Sequence, residues 1–453
     1  MCGACAPMSC GHVTSLKTFI DGDWNRAASA YSTRCIHGTD LTEKGIAMNT
    51  MDMSRRGFIK LSSAVAATAA LAGCGGGSSD GGSTEVSADT FKIGGIGPVT
   101  GAAAIYGSAT KYGAQVAVDE VNAAGSIKMA LNWQDDEHDP EKSVNAYNTL
   151  KDWGMQILVG TTTTTPCVAV STETNNDRIF ELTPSASSVN VLGGEEIGAD
   201  NPRKDNVFQM CFTDPNQGTA SAQYISSKQL GKKIAIIYNN ADAYSTGIYQ
   251  KFVDEAGPLN LEVVSTTTFT DDQTDFSVQV GDAKKAGADL LFLPIYYTPA
   301  SLILAEAKKQ DYAPKFFGVD GMDGILTLEG FDASLAEGVM LLTPFTATAE
   351  DEATKTFVEA YKGVSGSSEN PNQFAADAYD CVKAIALAIE TAGLTPDMSA
   401  ADLCEALIAQ FTDSSFSYKG LTGESSWSTT GEVTKTPKGV IIENGLYMSL
   451  DEE

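Results

Sequence analysis

Histidine is almost missing from this chain. Of three in 453 residues, His12 and His37 precede an apolar export-type segment, leaving His138 alone in the part expected to fold. Imidazole acid/base chemistry thus has one candidate, placed in an exposed loop. The patterns GxSxG, HExxH and GxxxxGKS/T are absent, which removes the common hydrolase, zinc-protease and phosphate-loop signatures. Basic side chains are scarce, 30 against 58 acids for a formal charge of −28. Such a surface repels a phosphate backbone and excludes nucleic acid as a partner. Of nine cysteines, the four in the part expected to fold are spread too widely for a small disulfide framework or a zinc site. Cys2, Cys5, Cys10 and Cys35 lie upstream and Cys74 ends the apolar segment. Cys167, Cys211, Cys381 and Cys404 remain, with spacing that leaves room for one or two bridges in an oxidising compartment. Beyond that segment no apolar run approaches the roughly 20 residues that span a bilayer as a helix.

What the chain has is, first, an export signal. In SRRGFIKLSSAVAATAALAGC, residues 54–74, Arg55, Arg56 and Lys60 form a cationic start, Leu61 to Ala72 an uncharged apolar run, and Leu71-Ala72-Gly73-Cys74 a small-residue cleavage point. SRRGFIK resembles the twin-arginine export motif, read by a receptor, and LAGC resembles a lipoprotein lipobox. That resemblance implies that Cys74 becomes the acylated N-terminus of an exported, membrane-tethered protein. Residues 1–50 then form an upstream extension absent from the mature protein, with Met51 or Met53 as the expected start. Residues 75–89, rich in Gly and Ser, form a flexible tether.

From Phe91 onward short apolar runs alternate with stretches of helical period. Strands are expected at 91–97, 129–134, 156–159 and 179–183, with helices at 106–123, 141–153 and 166–176 between them. After a crossing near 208–216 the pattern restarts: helices at 217–229, 246–256, 275–286 and 299–310 alternate with strands at 233–238, 261–267, 289–295 and 315–319. A strand at 336–343, helices at 350–362, 373–392 and 399–410, and β-like segments at 424–428 and 437–448 finish the chain. This is an α/β protein of two similar halves with mostly parallel sheets. In Asp135, Asp136, Glu137, His138 and Asp139 the acids read as solvation and capping, with Asp139-Pro140-Glu141 opening a helix, and no metal is expected.

In parallel α/β sheets ligands gather beyond the carboxyl ends of strands. There the first half offers Tyr106, the run Thr161 to Thr165, and Ser185 to Ser188; the second offers Tyr244, Tyr296, Tyr297 and Asp320. Hydroxyls and backbone N–H groups suit a carboxylate, and one acid suits one ammonium, so a cleft between the halves fits a small zwitterion. Each residue also has a plain structural role available: helix caps for the threonines, rim packing for the tyrosines and a turn for Asp320. Only their joint placement points to a site.

IGGIGPVTGAAAIYGSATKYGAQVAVDEVNAAGSI (93–127), DEHDPEKSV (136–144), ILVG (157–160), TPSAS (183–187), IAIIYNNADAYSTG (234–247), GVDG (318–321) and AADAYDCVKAIALAI (375–389) resemble, in order, segments of the leucine/isoleucine/valine-binding proteins of ABC transporters. The resemblance covers Phe91 to Leu450. It implies a two-lobed type I periplasmic binding fold, two doubly wound sheets joined by hinge crossovers. Residues 90–212 and 344–424 are expected in one lobe, 213–343 and 425–453 in the other. Tyr106 is then an aromatic over the ligand, Thr164 or Thr163 holds the ligand carboxylate, Ser185 gives main-chain contacts, and Ser187 binds the zwitterion through its hydroxyl. Tyr244 and Tyr297 are second-lobe aromatics, and Asp320 faces the amino group where the family usually carries a Glu. The family often carries a Cys where His138 stands and another near Thr163, joined in a bridge that this chain cannot make. The implied function is that of a monomeric, lipid-anchored binding protein handing an amino acid, branched-chain foremost, to a membrane permease, without cofactor or catalysis. The same fold also serves urea, amides, aromatic or organic acids, and sensing through a signalling partner.

Overall fold

Fourteen residues, FKIGGIGPVTGAAA (91–104), bring the chain from a buried strand to the start of a long helix. The computed structural model describes residues 86–194, 201–435 and 437–450. The export segment, Cys74, the tether and the upstream extension lie outside them. The first sheet is wholly parallel in the order β2-β1-β3-β4-β5, built from β1 (Phe91–Ile96), β2 (Met129–Gln134), β3 (Ile157–Val159), β4 (Phe180–Thr183) and β5 (Val207–Gln209). The chain winds between them through α1 (Ala104–Ala124), α2 (Pro140–Trp153), α3 (Thr164–Asp177) and a short α4 (Val189–Leu192). β5 was expected as part of a crossing. Its three residues are too short to show a period, and pairing with β4, Glu181 opposite Val207, makes them a strand.

The second half alternates α5 (Asp214–Ser227), β6 (Lys233–Asn239), α6 (Ala243–Ala256), β7 (Glu262–Phe269), α7 (Ser277–Ala286), β8 (Leu290–Leu293), α8 (Tyr297–Lys309) and β9 (Lys315–Gly318). A 3₁₀ turn at Asp320–Met322 follows, and β10 (Met340–Thr343) comes after two more. The chain then returns to the first lobe as α9 (Glu352–Ser365), α10 (Gln373–Ala392), α11 (Ala400–Phe411) and the hairpin β11 (Tyr418–Gly420) and β12 (Gly423–Ser425). It crosses once more into β13 (Lys438–Glu443), antiparallel to β10, and β14 (Leu446–Ser449), antiparallel to β13, which together extend the second sheet. That sheet runs β14-β13-β10-β9-β8-β6-β7. Two mostly parallel, doubly wound α/β sheets are therefore present, as expected.

The last crossing comes later than residue 425. Trp427 and Val433 bridge to each other and are buried in the first lobe's core with Phe411 and Phe416. α1 and α10 pack backbone to backbone at Gly113, where a Cβ would stand 2.0 Å from the Ala375 carbonyl oxygen. Asp139 caps α2 through the N–H groups of Glu141 and Lys142, with Pro140 in the first turn. Cys167, Cys211, Cys381 and Cys404 are all buried and unbridged, so the bridges the spacing allowed are not formed. No helix among the described residues is long and apolar enough to cross a membrane.

Candidate functional site

The two lobes meet across the carboxyl ends of their strands, and a small cleft is lined there by Tyr106, Thr162, Thr163, Ser185, Phe374, Tyr244, Tyr296, Asp320 and Gly321. Five of these come from the first lobe's strand ends and helices, four from the second. Tyr106 sits in the first turn of α1, and its hydroxyl donates to Gly321 O and accepts from Tyr297 N at 3.2 Å, joining the lobes. Tyr297, placed on the cleft by sequence, works at its rim: its hydroxyl donates to Ala102 O at 2.8 Å and accepts from Ile105 N at 3.4 Å. Its neighbour Tyr296 takes the cleft position, stacked on Tyr244 with centroids 4.7 Å apart and planes 6° from parallel. The helix α8 begins at Tyr297, so the residue just before it points from the strand end into the cleft.

Thr163 precedes α3 at its N-cap, yet its side chain makes no capping bond. Its Oγ1 instead pairs with His138 Nδ1 at 2.8 Å. A hydrogen bond thus ties His138 to the start of α3, the region where the family resemblance placed a bridge. It also places His138 in a half-buried position rather than an exposed loop, with its pKa lowered chiefly by burial. Thr164, buried in the first turn of α3, is not on the cleft surface. Ser185 lines the cleft and donates to Thr162 O at 2.5 Å. Ser187 is fully buried one layer behind, its carbonyl accepting from Asp214 N at 3.0 Å.

Asp320 lies just after β9, fully enclosed. Its Oδ1 accepts from the Tyr244 hydroxyl at 2.6 Å, and that hydroxyl in turn accepts from Gly321 N at 2.9 Å. Gly321 permits this closeness, since a Cβ there would stand 2.5 Å from the tyrosine oxygen. Burial pushes the Asp320 carboxyl up to about 7 against the opposing pull of Tyr244 and Gly321. Asp214, at the start of α5, was missed by the sequence reading: both its oxygens are buried without a hydrogen-bond partner that meets bonding geometry, although the Ser187 and Ser188 hydroxyls lie near. Burial, with Asp320 and Asp242 nearby, drives its pKa well above the usual carboxylate range. The position directly after the crossing could have flagged it. Among the described residues no lysine, arginine or histidine lines the cleft.

A profile of the periplasmic binding proteins matches residues 90–437. The chain belongs to that family. Over 311 residues it is 29% identical to Leu/Ile/Val-binding protein homolog 3 of Brucella melitensis, covering 68% of this chain and 81% of that one. Over 320 residues it is 28% identical to the leucine-, isoleucine-, valine-, threonine-, and alanine-binding protein of Pseudomonas aeruginosa, covering 69% and 81%. Among solved structures it is similar, at a TM-score of 0.69 and 26% identity, to the branched-chain amino acid transporter substrate binding protein LivJ of Streptococcus pneumoniae in complex with isoleucine. That match covers 80% of this chain and 98% of the other. This periplasmic binding protein therefore has the type I fold, with its cleft at the junction where the two sheets meet.

Proposed function

We propose that this protein is an exported, lipid-anchored substrate-binding protein of an ABC importer, which traps an amino acid, foremost leucine, isoleucine or valine, and hands it to a permease. The carrying observation is Asp320: a buried acid of the second lobe, fixed by Tyr244 and facing a hydroxyl-lined wall of the first lobe that holds no cation. An α-ammonium group pairs with Asp320, with Asp214 behind it. The carboxylate goes to Thr163, Ser185 and the N–H groups at the start of α3, where no side chain caps the helix and the dipole favours an anion. The aliphatic side chain lies among Tyr106, Tyr296 and Phe374. With the lobes in contact the cleft keeps only about 10 Å³, room for about one water, so the ligand enters an open form and the lobes close onto it, standing further apart than they do here. Contacts from both lobes give the bound ligand its preference for the closed form. Family membership supports export, and the LAGC segment supports an anchor at Cys74.

A second reading, urea or a short amide, draws on the small cleft and its three tyrosines and one phenylalanine. Aromatic or organic acids fit less well beside two buried carboxylates. Isothermal titration with leucine, valine, urea and benzoate separates these readings. Leucine or valine should bind, and Asp320→Asn should weaken that binding about 100-fold or more without unfolding the protein, as expected when one partner of a buried charge pair is lost. Binding of urea or benzoate with none of either amino acid refutes the amino-acid reading. For the anchor, Cys74→Ser should abolish incorporation of labelled fatty acid in growing cells; undiminished labelling rules Cys74 out.

A further inference from the structure

A second cavity opens between the lobes, beside the crossing segment that follows β10, and shares no lining residue with the cleft. Its volume is about 310 Å³, in the range of small-molecule pockets. One wall is α1, through Ile105, Ser108 and Tyr112; the opposite wall holds Asp323, Leu326 and, on the crossing segment, Phe345. Tyr361 of α9 and Tyr447 of β14 add two further rings.

Asp323 borders this space and is only 4% exposed, with its carboxyl set back in the wall. Its Oδ2 accepts from Gln373 N at 2.9 Å, whereas Oδ1 has no hydrogen-bond partner. The Tyr447 hydroxyl approaches the carboxyl without reaching bonding geometry and accepts from Gly324 N at 3.1 Å. A buried carboxylate oxygen without a donor is costly, and a bound group that brings N–H donors within its reach relieves that cost. Glu369 is the other acid of the lining, and no lysine, arginine or histidine belongs to it. An acid in a wall that also carries several aromatic rings, with no competing cation, suits an organic cation through charge pairing and, where it meets a ring face, through the ring quadrupole.

We infer that this cavity binds a small organic ammonium ion with an apolar body, its N–H groups on Asp323 and its body among Phe345, Tyr361 and Leu326. The site is separate from the amino-acid cleft and does not depend on what that cleft binds. Phenethylamine is a suitable probe, with 2-phenylethanol as the neutral isostere and phenylacetate as the anion. Titrated at pH 8 into the purified protein, phenethylamine should bind saturably while the alcohol and the acid bind at least about tenfold more weakly. Asp320→Asn, in the cleft, should leave the amine's affinity within about twofold. Asp323→Asn should weaken it at least about tenfold, and so should Ser108→Phe, which fills the cavity and keeps the carboxylate. The Ser108→Phe result decides the matter if Asp323→Asn fails to fold. Amine binding retained in Ser108→Phe, lost in Asp320→Asn, matched by the alcohol, or absent up to millimolar concentrations overturns the inference.

Discussion

Tyr106 links the sequence's first helix to the second lobe with one hydroxyl, donating to Gly321 O and accepting from Tyr297 N. Its ring contributes separately, packed 4.7 Å from both Tyr297 and Phe374 and 5.4 Å from Tyr296. Tyr106→Phe keeps the ring and removes the two bonds. In the open form both freed backbone groups regain water; in the closed form they stay buried and unpaired, at a cost of about 1–3 kcal/mol. The substitution therefore acts on closure more than on folding. Leucine affinity should fall about tenfold by titration calorimetry while the urea midpoint of the ligand-free protein changes little. An unchanged affinity would show that the hydroxyl takes no part in closing.

At the scale of elements, the first and last crossings are tied together by a buried ion pair. Lys435 Nζ, on the last crossing, binds Asp377 Oδ1 of α10 at 2.7 Å and donates to Met210 O of the first crossing at 2.6 Å. Both charged side chains are almost fully enclosed, 1% and 2% exposed. Removing one partner strands the other's charge, which typically costs about 3–5 kcal/mol, whereas neutralising both costs much less. Lys435→Met should destabilise by about that amount in urea unfolding, and adding Asp377→Asn should restore most of it; a single variant within about 1 kcal/mol of the parent contradicts the pinning role. None of this was legible from sequence, because Lys435 lies in a polar stretch and its partner is 58 residues away. The alternation of strands and helices was legible, since runs such as ILV at β3 or LLFL at β8 are buried on both faces and read as continuous apolar strands. So was Asp320, because the end of β9 announces itself. The cleft position of Tyr296 rather than Tyr297 was not, as it turns on where α8 starts to within one residue. Nor was the first-lobe placement of Trp427, which depends on packing against Phe411 and Phe416.

For the molecule as a whole, the buried acids set the response to pH. Burial raises Asp136, Asp242 and Asp323 to about 6 and Glu181 and Asp320 to about 7. A carboxyl raised in the folded state holds its proton more tightly there than in the unfolded chain, where it titrates near 4. The stability it contributes is complete below about pH 4 and is lost as pH rises through 6 to 7. His138, held low by burial, opposes this with a single group. Exposed acids held low by hydrogen bonds, such as Asp275 and Asp413, matter only below their ordinary range. The formal charge of −28 adds self-repulsion on the alkaline side, and salt relieves that part but not the desolvation. The Tm of the ligand-free protein should therefore drop by about 5 °C between pH 5 and pH 8, with added salt restoring only a fraction. A Tm that rises over this range contradicts the assignment. Ligand reverses the sign at one group: an ammonium on Asp320 needs the carboxylate, so binding an amino acid releases a proton below about pH 7. The Tm increase from saturating leucine should accordingly be larger at pH 8 than at pH 5, and the binding enthalpy at pH 6 should depend on the ionisation enthalpy of the buffer. In Asp320→Asn that buffer dependence should shrink even where residual binding can still be measured, which ties the proton to this carboxyl and not to the other buried acids.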